Sequence, residues 1–203
     1  MIRFFILATF ALMLAISPAR AANDAADIAR IEQYLNSVKT LKARFIQTAN
    51  DGQQVAGDFL LKRPGRMRFE YDAPVTDFIV ADGLLVYYYD GQMKEQSSMP
   101  ISSSLADFFL RPNLKLSGDL TASDIKHDGG FLQVTLRQTK EPLDGALTLA
   151  FSEEPFALRR WRIVDAQGAV TEVELFDAKT GITLENSLFK YYNPDHTKPR
   201  YNK

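Results

Sequence analysis

Few places in this sequence could begin chemistry. His127 and His196 are its two histidines, and the second stands in a proline-containing tail. A hydroxyl-rich stretch, "SSMPISSS" at 97–104, has no base at a readable spacing, and no G-x-S-x-G elbow surrounds any serine. There is no cysteine, which removes thiol nucleophiles, thiolate metal sites and disulfides together. The carboxylates are scattered on alternating positions and form no metal-ligand cluster. The reading is of a protein that is not an enzyme and needs no cofactor or metal, with a secreted hydrolase as the weaker alternative.

The residue that asks for an explanation is Arg63. In "KRPGRMRFEY", Met67, Phe69 and Tyr71 share one parity, while Arg66, Arg68, Glu70 and Asp72 share the other. In the preceding "GDFLLKR", Phe59 and Leu61 fall on the same parity as Arg63. Strand side chains alternate between faces, so the guanidinium points toward the apolar side, where an unpaired charge is expensive. Its five donors in a fixed fork suit the orphan carbonyls of a covering helix. One or two such bonds would contribute about 1.5–3 kcal/mol each, enough to bias a lid and small enough to reverse. The bland alternative is a turn arginine beside Pro64.

The elements that must position it are mostly strands. The first 21 residues, "MIRFFILATFALMLAISPARA", have a charged start, an apolar run and a small-x-small end, the pattern of a signal peptide cleaved after Ala21. Residues 22–203 then form one exported domain without an N-terminal lipid anchor. Removing Arg3 and Arg20 from 24 basic residues leaves 22 against 25 acidic ones, a net charge of −3, and without a basic stripe nucleic acid is not an expected partner.

Residues 24–41 place Ile28, Ile31, Leu35, Val38 and Leu41 at helical spacing. Strand patterns follow at 43–49, 53–63, 66–72, 76–82, 84–90 and 93–98, with short turn signals between them. "SSSLADFFLRP" then sets Leu105, Phe108 and Phe109 at i, i+3 and i+4, and Pro112 ends that helix by Arg111. Strands resume at 130–138, 145–152, 157–165, 169–177 and 182–191. Leu132 and Val134, then Leu149 and Phe151, alternate with polar residues, giving one covered and one wet face.

About eleven antiparallel strands are too many to stay flat. The fold class expected is mainly β with a helical lid (α+β): a curled, incompletely closed antiparallel barrel covered by an N-terminal helix and a short central one. A hollow should remain between sheet and helices. Phe59, Leu61, Met67, Phe69, Tyr71, Phe78, Val80, Leu132, Val134, Leu149, Phe151 and Trp161 are its candidate lining, and Ile31, Leu35, Leu105, Phe108 and Phe109 its candidate lid. For each of them, ordinary core packing is the competing reading. The basic end, "KYYNPDHTKPRYNK", reads most simply as a frayed tail.

Taken in order, "ARFIQT" after the first helix, Arg63-Pro64, and Asp82-Gly83 before a tyrosine-rich strand make the chain resemble the periplasmic outer-membrane lipoprotein carriers of LolA type over nearly all of its mature length. The sequence differs from relatives with a tryptophan on the strand before Arg63 or an aromatic at the Met67 position. The resemblance implies an unclosed barrel in which lipoprotein acyl chains bind beneath the helices, and an arginine at the Arg63 position that latches the empty lid. It further implies an inner-membrane ABC transporter that loads acylated lipoproteins and an acceptor, often itself a lipoprotein, at the outer membrane. Extracting three chains of about 15 methylenes from a bilayer costs on the order of 35 kcal/mol, so the latch cannot drive that step. A monomer suits such a shuttle. The alternative on the same half-barrel is a lipid-sensing envelope regulator, for whose second domain this chain has no room.

Overall fold

The computed structural model describes residues 18–104 and 106–195; residues 1–17 of the expected signal peptide lie outside them, as do Leu105 and His196. Helix α1 (Pro18–Ser37) opens the chain. Eleven strands follow: β1 (Thr40–Thr48), β2 (Gln54–Lys62), β3 (Arg66–Tyr71), β4 (Phe78–Asp82), β5 (Leu85–Asp90), β6 (Glu95–Pro100), β7 (Leu120–Asp128), β8 (Phe131–Gln138), β9 (Gly145–Glu153), β10 (Phe156–Asp165) and β11 (Val170–Thr180). Between β6 and β7 lie a single 3-10 turn, Ile101–Ser103, and helix α2 (Ala106–Leu110).

All eleven strands form one sheet in the order β6-β5-β4-β3-β2-β1-β11-β10-β9-β8-β7, each neighbour antiparallel. The strands consecutive in sequence at the midpoint, β6 and β7, are thus the two edges. Residues 101–119 cross the seam between them, and α2 sits in that crossing. The sheet is not closed, as the sequence implies, and α1 and α2 cover its apolar side.

The covered face carries Ala43 and Phe45 of β1, Phe59 and Leu61 of β2, Met67 and Phe69 of β3, and Leu132, Val134 and Leu136 of β8. It continues through Leu149 and Phe151 of β9, Trp161 of β10, and Val173 and Leu175 of β11. Opposite Tyr71, β2 uses Gly57, where a β-carbon would stand 2.0 Å from the Glu70 carbonyl oxygen and 2.7 Å from the Phe45 ring. Only glycine fits there.

Three expectations change. The strand expected at 182–191 is absent: Asn186–Phe189 is a 3-10 turn, and the segment lies across the outer face of the sheet. There Leu184 and Phe189 pack on Leu60, and Tyr191 stacks on Tyr87 at 4.8 Å. The total of eleven is made up by β7, which the hydrophobic pattern does not reveal. As an edge strand, "LTASDIKHD" is largely exposed, and a bulge between Ala122 and Asp124 breaks its alternation. Finally, Leu41 belongs not to the helix but to β1, opposite Leu61 and Thr180.

The tail is not frayed as far as it is described. The Tyr89 hydroxyl donates to Asp195 at 2.8 Å, and Tyr191 lies stacked on Tyr87.

Candidate functional site: a latched lid beside a seam cleft

Arg63 follows the last residue of β2 and is buried, 8% exposed, beneath the meeting point of the two helices. Its Nε donates to the carbonyl of Phe109 at 2.6 Å, and a terminal nitrogen donates to the carbonyl of Leu35. Both carbonyls belong to the last turns of their helices, where no intrahelical partner exists and the helix dipole is negative. Arg63 makes no ion pair among the described residues. Burial lowers its pKa to about 10, offset in part by Tyr34, so the guanidinium stays charged at neutral pH and rests on the two helix-end carbonyls. The turn after it adds a third tie. Gly65, at φ +79°, donates its N–H to the Leu110 carbonyl at 2.9 Å.

Phe59, Leu61, Met67, Phe69, Leu132, Val134, Leu149, Phe151 and Trp161 all face the lid and join one core with Ile31, Leu35, Phe108 and Phe109; Tyr71 packs at its margin. Its centre is aromatic: Trp161 lies 5.2 Å from Phe109, 5.6 Å from Phe59 and 6.3 Å from Phe69, ring centre to ring centre. Phe78 and Val80 are corrected. They lie on the opposite face with Tyr89 and Tyr191, because β4 pairs Glu70 with Phe78 and Arg68 with Val80, placing both on the outward parity. Ile79 and Ala81 take the inward positions instead. Leu105 lies outside the described residues.

The space beneath the helices is largely filled by these side chains. One cleft, of about 640 Å³, lies to one side between α2 and the ends of β7–β10; another, of about 780 Å³ and lined mostly by polar residues, lies between the start of α1 and the end of β7. Phe108, Phe109, Leu120, Leu136, Leu147 and Ile163 form the apolar wall of the first, with Ser102–Ser104 at the lip.

Sequence reasoning missed the polar ties that fasten the segment after α2 to α1. Asn36 on α1 exchanges two bonds with Leu114, its amide donating to the carbonyl and its oxygen accepting the N–H, each at 2.8 Å. Glu32 accepts the N–H of Leu116 at 2.7 Å. These pairs are 78 and 84 residues apart in sequence, so no local pattern exposes them.

The family model for the outer membrane lipoprotein carrier protein LolA matches residues 36–192. The chain belongs to the LolA family. It is 31% identical over 206 residues to the outer-membrane lipoprotein carrier protein of Azotobacter vinelandii, covering 96% of each. To the protein of the same name from Pseudomonas aeruginosa it is 30% identical, over 85% of this chain and 86% of that one. A crystal structure of an uncharacterized conserved protein from Thermus thermophilus shares the fold at TM-score 0.52 and 14% identity, covering 85% of this chain and 96% of that one.

Proposed function

We propose that this LolA-family chain is a periplasmic carrier, not a catalyst, that shields the acyl chains of lipoproteins during transfer to the outer membrane. An ATP-driven inner-membrane transporter would load it and an outer-membrane acceptor would unload it. The supporting observation is the pairing of a buried, carboxylate-free arginine that ties two lid helices with an apolar cleft directly beside one of them. The ties are few and reversible, and one wall of the cleft is hydrocarbon, with charged residues such as Asp107, Arg111 and Arg137 around it.

The cleft opens at the seam beside α2, where Phe108, Phe109, Leu136 and Leu147 offer hydrocarbon chains an apolar wall. In this reading, cargo enters at the seam and full loading moves the lid off the aromatic core. Mass spectrometry of the protein isolated from periplasm tests the reading. Acylated proteins should be released from it on denaturation; recovery of the chain with no acylated species would refute it.

A further inference from the structure

The two lid helices are not held alike. Helix α1 continues almost directly into β1 and is fastened along its length. Asp27 meets His127 of β7 at 2.8 Å, Arg30 donates to the Glu153 carbonyl at 3.3 Å and lies 4.0 Å over the Phe156 ring, and Tyr34 sits edge-on to Phe151 and Phe156. Helix α2 is five residues long, too short to be stable unaided. On its Arg63 side it is tied by Arg63 and Gly65. On its seam side the tie is Arg111, which follows the last helical residue and donates two bonds to the Asp119 carboxylate, at 3.2 and 3.0 Å.

Asp119 stands just before β7 and is itself fixed, since its carbonyl accepts the N–H of Thr139 at 3.0 Å. The bond pair thus runs from lid to sheet edge across the mouth of the cleft, and both residues border that cleft. Arg111 also bonds Asp107, four residues earlier on α2. That contact travels with the helix. Swinging α2 away breaks the Asp119 bonds yet leaves the Arg111 guanidinium paired with Asp107.

We propose that Arg111 and Asp119 form a second clasp, distinct from Arg63, which closes α2 over the seam cleft, and that α2 is the gate while α1 stays seated. This deepens the carrier reading and rests on it for the identity of what passes the gate. The neighbouring charges agree with the geometry: Asp119 is held below the usual carboxylate range by Arg111. At 64% side-chain exposure Asp119 is open to screening by salt.

The sole tryptophan, Trp161, packs on Phe109 of α2 and so reports the gate directly. The test compares the wild type, Asp119→Asn, Asp119→Glu and, as a carboxylate loss on the same edge strand, Asp124→Asn. Two readouts are taken: acrylamide quenching of Trp161 in the ligand-free protein, and the association and release rates of a palmitoylated peptide. Asp119→Asn should raise quenching and speed both rates by about two- to five-fold, the range of one exposed bidentate pair. Asp119→Glu should restore both toward wild type, and Asp124→Asn should change neither. Quenching and rates in Asp119→Asn equal to wild type would overturn the clasp, as would an equal change in Asp124→Asn. The quenching arm needs no ligand. A wild-type protein that never binds the peptide would therefore refute the carrier reading, while quenching alone still decides the clasp.

Discussion

Arg63 is a buried cation whose partners are two carbonyls on separate helices. In the carrier reading the bond to Phe109 exists only while α2 is shut, so it favours the empty state over the loaded one by about 1.5–3 kcal/mol. Replacing Arg63 with Leu removes that bias and also removes the desolvation penalty of the charge. We therefore predict a folded protein that binds an acylated peptide about tenfold more tightly or better and releases it to acceptor vesicles correspondingly slowly. Unchanged affinity and transfer would remove Arg63 from the latch role. His127 gives a second residue-scale prediction. Glu153 and then Asp27 raise its pKa, so its contribution to seating α1 is complete below about pH 6.5, the ordinary histidine value, and is lost as pH rises through the raised folded value. The stability difference between wild type and His127→Gln should accordingly shrink with rising pH, read as melting temperature across pH 6–9. A difference that grows with pH would contradict the assignment.

Among the elements, legibility followed exposure and distance. Strands with one covered face, such as β3 and β8, announce themselves by alternation, and the parity that put Arg63 with Phe59 and Leu61 is the parity found. The edge strand β7 is only partly covered, through Leu120, Ala122 and Ile125, and its bulge breaks the alternation that would reveal it. Residues 182–191 show apolar spacing that suits a strand, but the spacing serves to lay Leu184, Phe189 and Tyr191 onto the outer face of β2–β5. The same strap explains the misplacement of Phe78 and Val80: both faces of β4 are apolar, so composition could not say which pointed inward. Because Phe189 is buried there at 1% exposure, Phe189→Ala should cost about 3–5 kcal/mol in urea unfolding. A loss below about 1 kcal/mol would show that the strap is not part of the folded unit.

For the whole molecule, the architecture follows from one topological fact. The chain builds six strands to one side, crosses the open seam through residues 101–119, and builds five more back to β1. The crossing supplies the gate, and the seam supplies the cleft. The surplus of apolar faces suggests a hollow between sheet and helices, but Phe59, Phe69, Phe109 and Trp161 pack into that space, and a cleft opens at the seam instead. The most direct test is photo-crosslinking with a lipopeptide whose palmitoyl chain carries a diazirine, followed by mapping of the labelled residues. A cargo chain lodged in the seam cleft predicts saturable labelling at Phe108, Leu136 and Leu147. Labelling confined to the outer face around Leu60 and Phe189, or none that saturates, would contradict it.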